Sequence, residues 1–313
     1  MVKDHPASRL ADADEMLRRS TEVRLPSGRE LWPDHVRDNR EKIIEAWAAD
    51  RGGREWTARL VAQPPQGIHV LKDQEPMLSF SRVRASQHVR AAYAYLIASE
   101  GNRNGAIQLL IKQQKAWSGI QRLEASLMNQ MIAVVMLKDS QNACSAILDL
   151  GGVDVGMQTE LSNVLETLLP APEVCRLGIL GDYHFTRSVG EDWDLGLAEA
   201  GIDMTGESLG FDSPVLKQQA RVFGLRWVWL RRESSKVYLA ALTEVYRLAA
   251  ARDLARAEQF ANEADSTWSV RNAIGTRLSG MALPAFAKIS KNIWEADDRR
   301  RELISRLSPR EAE

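Results

Sequence analysis

The chain has 313 residues, of which 44% are hydrophobic and 27% are charged, and its formal net charge is −1. This composition is typical of a soluble globular protein with a substantial core. The near-zero charge argues against nucleic-acid binding, which leaves a basic footprint. The longest apolar run, residues 131–137, is shorter than the roughly 18 residues of a membrane span.

The first 65 residues form a polar N-terminal segment with two short helices. A further helical piece is expected near residues 11–20. Asp34 is the predicted N-cap of the first helix, which Gly52-Gly53 should end. The second helix covers residues 55–62 and stops at Pro64-Pro65, because proline removes a backbone donor.

Residues 66–307 are predicted to form one helical body, and residues 308–313 a tail. An extended linker opens the body, and its central unit consists of three long helices, with Gly101-Asn102 at the first turn. Residues 128–137 are apolar on nearly every face, which indicates a central helix packed on several sides. The predicted helices cover residues 80–99, 106–122, 125–150, 157–169, 173–180, 214–233, 234–251, 253–264 and 271–307.

Two local features modify this pattern. Residues 181–213 contain six glycines and are predicted to form an irregular insert. Pro284 lies inside the last helix and predicts a kink or a break there. Because no stretch sustains the alternation of a strand, the predicted fold class is all-α.

Residues 92–110 resemble one tetratricopeptide-type hairpin, with a helix, a tight Gly-Asn turn and a second helix. Residues 242–264 repeat the pattern loosely, with Arg252-Asp253 at the turn. A true array needs several units at a period of about 34 residues, and no such period occurs. The expected architecture is therefore an irregular stack of antiparallel helical hairpins, distantly tetratricopeptide-like in places.

The order of features also resembles a family of uncharacterised, largely helical proteins that are common in proteobacteria. The segments that carry the resemblance are Asp38-Asn39-Arg40-Glu41 with Ile43 and Trp47, residues 90–110, residues 126–133, and residues 271–278 followed by Ala282-Leu283-Pro284-Ala285. The family typically has Asn-Pro where this chain has Asn272-Ala273. The resemblance implies an all-helical extracytoplasmic body behind an N-terminal signal or anchor, and it implies no activity.

Residues 1–10 are polar and lack the apolar core of a signal peptide. Either the protein is cytoplasmic, or a signal or membrane anchor has been removed. The resemblance favours a periplasmic location, facing the periplasm from an anchor, with the cytoplasm as the alternative.

The richest chemical cluster lies in residues 181–194. Its acidic and histidine side chains, Asp182, His184, Glu191 and Asp192, are the candidate catalytic residues of a hydrolase acting on a glycan or peptide. The alternative is a polar loop, in which Tyr183 and Trp193 anchor the loop or contact a partner.

Other candidate residues are aromatic, basic or sulfur-containing. Trp227 and Trp229 are two residues apart and cannot both face one side of a helix, so one of them is expected to meet a groove or a partner. The remaining tryptophans are expected in the core, while His88 and residues 299–301 are expected on solvated helix faces. Cys144 and Cys175 are either two buried small residues or a disulfide.

No metal-binding or phosphate-binding motif occurs, so no metal and no cofactor is predicted. The leading hypothesis is a non-enzymatic protein of the bacterial envelope that binds another protein or peptide in a groove between helical hairpins. The alternatives are the hydrolase, and a structural adaptor or toxin-neutralising partner. Nucleic acid is not an expected partner, and the membrane is one only through an anchor.

Overall fold

The computed structural model describes residues 23, 25, 32–65, 68–69, 80–122, 124–125, 127–181, 239–266 and 273–308. This part of the chain is all-α, as predicted. Its extended pairing is one short parallel contact between β1 (Ile68–His69) and β2 (Glu124–Ala125). The predicted helix over residues 214–233 and the glycine-rich insert after residue 181 lie outside the described residues.

The helices are numbered in chain order. They are α1 (Trp32–Asp38), α2 (Arg40–Ala49), α3 (Arg51–Ala62), α4 (Phe80–Ser99), α5 (Arg103–Gln121), α6 (Leu127–Asp149), α7 (Val155–Thr167), α8 (171–181), α9 (239–250), α10 (Leu254–Ser266) and α11 (Ala273–Leu307).

The helix ends before α4 differ from the prediction. Helix α1 begins at Trp32, so Asp34 lies inside its first turn and is not the N-cap. Gly52-Gly53 does not end a helix either, because the pair lies in the first turn of α3 and the break falls at Asp50. The reason is tertiary: Gly53 is buried, and Asp50, Ser86 and Arg90 leave no room for a β-carbon there.

Helix α11 runs from residue 273 to residue 307 without the break predicted at Pro284. Leu283 and Phe286, on either side of the proline, are completely buried in the core. This packing holds the helix against the body on both sides of the proline, and it outweighs the backbone hydrogen bond that the proline removes.

The turn between α4 and α5 is built from two residues with separate tasks. Gly101 adopts a φ of +104°, and the amides of Gly101 and Asn102 donate to the carbonyls of Ala98 (3.0 Å) and Ile97 (2.8 Å). This pattern is a Schellman motif, which closes α4. The Asn102 side chain then accepts a hydrogen bond from the Gly105 amide (3.0 Å) and caps α5.

The turn between α9 and α10 repeats this arrangement. Arg252 has a φ of +62°, and the amides of Arg252 and Asp253 donate to Ala249 (3.0 Å) and Leu248 (2.9 Å). Asp253 accepts from the Arg256 amide (3.3 Å), as an N-cap does. The loose sequence similarity between the two hairpins therefore corresponds to the same turn structure in both.

Arginine is unusual in a left-handed position, which glycine adopts at less cost. The side chain explains its presence. The Arg252 guanidinium lies 2.5 Å from Asp298 and 5.0 Å from the centre of the Trp294 ring. Trp294 in turn donates to the Ala249 carbonyl (2.7 Å). Together these contacts fasten the α9–α10 turn to α11.

The described helices enclose two hydrophobic cores. The first core lies among α1–α7 and the end of α11, and the second among α8–α11. Helix α6 contributes to both: Ile132, Ala133 and Met136 lie in the first core, and Val134 lies in the second. The prediction that this helix is central is confirmed.

Most tryptophans that the structure describes are core residues, as predicted. Trp32, Trp56, Trp117 and Trp294 are buried. Trp47 is half-buried and stacks on Tyr93, with the ring centres 4.1 Å apart.

The close approach at Gly53 leads to a stability prediction. A β-carbon at residue 53 would overlap Asp50 and Ser86 and would lie 2.6 Å from Arg90. We therefore expect Gly53→Ala to lower the free energy of unfolding by about 1–3 kcal/mol, since overpacking exceeds the gain in helix propensity. Urea denaturation measures this change.

Gly156→Ala is the matched control, because no atom of the described residues lies within 4 Å of the β-carbon it would add in α7. This variant should be neutral or slightly more stable. A Gly53→Ala protein as stable as the Gly156→Ala protein would contradict the crowding at Gly53.

Candidate functional site

A crevice between the two cores is the candidate site. Residues of α5, α6, α8 and α11 and of the α7–α8 connection surround a cavity of about 20 Å³, which is enough for one water-sized group. Most of the lining is apolar: Val134, Leu137, Leu168, Leu169, Ala171, Val174, Ile293 and Ala296. The polar lining residues are Gln121, Gln141, Asp297 and Arg300.

Both glutamines of the lining are buried with part of their hydrogen-bonding capacity unused among the described residues. Gln121 is 4% exposed and Gln141 is 1% exposed. The Oε1 atom of each has no hydrogen-bond partner among the residues that the structure describes. An unsatisfied buried acceptor costs about 1–3 kcal/mol, and folded proteins usually avoid it. Two of the residues that line the cavity therefore carry a buried oxygen without a partner in the described part of the chain.

Asp297 forms the charged end of the crevice. Its side chain is 2% exposed, and Arg300 and Arg301 lie 2.7 Å and 2.8 Å from its two oxygens. Arg300 also donates to the Leu165 carbonyl at the end of α7 (3.4 Å). The carboxylate is thus fully engaged, and it holds the Arg300 guanidinium at the cavity wall.

This geometry corrects the expectation that residues 299–301 form a solvated face. Arg300 is only 13% exposed because it reaches across the crevice to α7. Arg299 pairs with Glu302 (3.0 Å), and Arg301, on the exposed side, pairs with Asp297. The neighbouring acids Asp297 and Glu302 pair with these arginines.

The sequence interpretation is also wrong about His88, which is buried rather than solvated. Its Nδ1 lies 3.1 Å from the Val23 carbonyl, and its Nε2 lies 3.1 Å from Asp139 and 3.2 Å from Arg84. The reason is that α1, α2, α5 and α6 all pack against α4. In the described part of the chain, no three His, Cys, Asp or Glu side chains are grouped to hold a metal.

The two cysteines lie in different cores as free, buried thiols. Gln114 donates to Cys144 Sγ (3.3 Å), while Cys175 contacts Ser290. The structure therefore agrees with the alternative in which both cysteines are small buried residues, and it contains no bond between the two sulfur atoms. Loss of hydration raises the pKa of each thiol to about 12, so both are protonated and weakly nucleophilic at neutral pH.

The residues that the sequence singled out as catalytic or partner-binding lie outside the described part of the chain. They are Asp182, Tyr183, His184, Glu191, Asp192, Trp193, Trp227 and Trp229. Sequence reasoning did not identify the crevice. The available signal was Gln141, an uncharged polar residue on a helix face otherwise occupied by Leu137, Cys144 and Leu148.

No protein-family model, curated protein or solved structure matches this chain. Among the described helices, none is both long and apolar enough to cross a membrane.

Proposed function

We propose that this protein is a non-enzymatic helical protein that binds another protein or a peptide in the crevice between its two cores. The observation that supports this proposal is the pair of buried glutamines in the crevice lining, Gln121 and Gln141, whose Oε1 atoms have no partner among the described residues. Buried groups that reduce stability are often retained for function. The apolar wall beside them adds the hydrophobic contact that peptide side chains use.

The helical architecture is consistent with such a role. Stacked helical hairpins bind partners between and across their helices, and the described chain contains two hairpins with the same turn, α4–α5 and α9–α10. The location that we propose is the bacterial envelope, and this rests on the family resemblance alone.

The test compares partner capture by three baits. They are the wild-type chain, the Gln121→Met/Gln141→Met double variant, and a Gln259→Met control. Methionine keeps the length of glutamine but removes the amide, while Gln259 is exposed on α10 and does not line the crevice. Each bait is presented with the envelope and the cytoplasmic fractions of the native cells, and captured proteins are identified by mass spectrometry.

We expect wild type and Gln259→Met to retain the same envelope partner and the double variant to lose it. The double variant should be at least as stable as wild type, because it replaces unsatisfied polar groups with apolar ones. Its loss of binding would then not reflect unfolding. Identical capture by all three baits would contradict the proposal, as would turnover of a glycan or peptide by the isolated chain.

A further inference from the structure

We propose that His88 is a proton-dependent switch, which binds Asp139 of α6 when its ring is charged and Arg84 of its own helix when its ring is neutral. His88 does not line the crevice, and the inference does not depend on the proposed function. It rests on the three polar contacts that the His88 ring makes.

The first contact fixes a proton on one ring nitrogen. Nδ1 of His88 lies 3.1 Å from the carbonyl oxygen of Val23, which precedes α1. Because a carbonyl oxygen can only accept a hydrogen bond, Nδ1 carries a proton in both the neutral and the charged ring. The second nitrogen, Nε2, is therefore the atom that gains and loses a proton.

Nε2 contacts two partners that require opposite states of this atom. Nε of Arg84 lies 3.2 Å away and can only donate, so it requires an Nε2 without a proton. Oδ2 of Asp139 lies 3.1 Å away and, as a carboxylate oxygen, accepts a hydrogen bond from a protonated Nε2. Since one nitrogen cannot do both at once, the charge of the ring decides which partner it binds.

The different exposure of the partners makes the exchange feasible. The side chains of His88 and Asp139 are 5% and 21% exposed, whereas Arg84 is an exposed residue. When the ring is protonated, Arg84 can turn towards water, and the imidazolium forms a charge-assisted hydrogen bond with Asp139. When the ring loses that proton, the contact with Arg84, four residues earlier on α4, replaces this bond.

Arg84 from α4 and Asp139 from α6 are the charged groups that contact the ring. The chain before α1 contributes the uncharged carbonyl of Val23. Helices α1, α2 and α5 also pack against α4, but within the described residues none of their charged side chains forms a hydrogen bond or ion pair with His88. The link between α4 and α6 therefore depends on pH, while the contact with Val23 persists.

The first experiment is an NMR titration of the full wild-type chain from about pH 5 to pH 8.5, the range in which histidine normally changes charge. The chain is labelled with ¹⁵N at histidine and ¹³C at aspartate. Above the midpoint of the His88 titration we expect a protonated Nδ1 and an unprotonated Nε2. The Asp139 carboxyl carbon should shift with the same midpoint. A neutral ring with its proton on Nε2, or a ring that does not change charge in this range, would overturn the proposal.

Two variants test the two partners separately. Asp139→Asn should move the midpoint of the His88 titration to lower pH, by about one pH unit, because the charged ring loses its carboxylate. Arg84→Met should move the midpoint to higher pH, because the neutral ring loses its donor and the charged ring loses a like charge.

The control is Glu244→Gln, which breaks the exposed pair of Glu244 and Arg247 on α9 and should leave the midpoint unchanged. The same midpoint in wild type, Asp139→Asn and Arg84→Met would show that these contacts are structural only, and it would overturn the switch.

Discussion

Replacing Asp50 with asparagine is expected to lower the free energy of unfolding by about 3–5 kcal/mol, the range found when a buried charge loses its partner. Asp50 Oδ2 lies 3.2 Å from Arg90 Nε, and the two side chains are 0% and 7% exposed. Burial lowers the pKa of Arg90, and the carboxylate opposes that effect. Asparagine keeps the shape but leaves the guanidinium charge without compensation.

The surrounding hydrogen bonds make this loss difficult to absorb. Ser86 donates to Asp50 (3.0 Å) and accepts from Arg90 (2.8 Å). Thr57 accepts from Arg90 and donates to the Gly53 carbonyl (3.1 Å). Each nitrogen of the Arg90 guanidinium has an acceptor in this network, and the hydroxyl groups of Ser86 and Thr57 are both engaged, so neither hydroxyl is free to replace the carboxylate.

Chemical denaturation of two further variants completes the comparison. Glu55→Gln breaks the exposed pair with Arg51, 2.8 Å apart, and should cost less than about 1 kcal/mol. Asp50→Asn combined with Arg90→Met removes both charges and should be more stable than Asp50→Asn alone. If Asp50→Asn costs no more than Glu55→Gln, the Asp50–Arg90 pair is not an important contributor to stability.

Stability is also expected to decrease in alkaline solution because of the two cysteines. The pKa of each thiol is raised from about 9 to about 12 by burial, so the unfolded chain ionises first. The stabilisation is complete below pH 9 and is lost as the pH rises towards 12, by about 1.4 kcal/mol per pH unit for each thiol. By pH 10 the loss relative to neutral pH is about 3 kcal/mol for the pair.

The control is the Cys144→Ala/Cys175→Ala variant, measured by urea unfolding between pH 7 and pH 10.5. Its stability should fall less steeply than that of wild type above pH 9, and parallel profiles would refute the contribution of the thiols. A thiol titration without reductant adds a second check. It should detect almost no reactive thiol in the native chain and two after denaturation, whereas none after denaturation would demonstrate a disulfide.

The long helices of the body could be predicted because their local signals agree with their packing. Periodic apolar residues and the Gly101-Asn102 turn placed α4, α5 and α6 within three residues of their observed ends. Gly52-Gly53 and Pro284 misled the prediction, since both are helix-breaking signals in isolation. In the structure, close packing around Gly53 and the burial of Leu283 and Phe286 determine the outcome.

The candidate site could not be predicted in the same way. Gln121, Gln141 and Asp297 lie on three different helices, and the packing of α5 and α11 against α6 brings them together. Neither glutamine belongs to a motif, and a buried glutamine looks like an exposed one in sequence. The burial of His88 was missed for a related reason, because the sequence does not show that α4 is covered on several sides.

Helix α6 has a consequence for how the protein unfolds. Since its side chains complete both cores, loss of either core would expose part of α6 to water. Neither half can therefore melt without weakening the other, and the described chain should behave as one cooperative unit rather than as two independent foldons. A partner that binds in the crevice beside Val134 would contact this shared helix. Its binding would therefore stabilise both cores against unfolding.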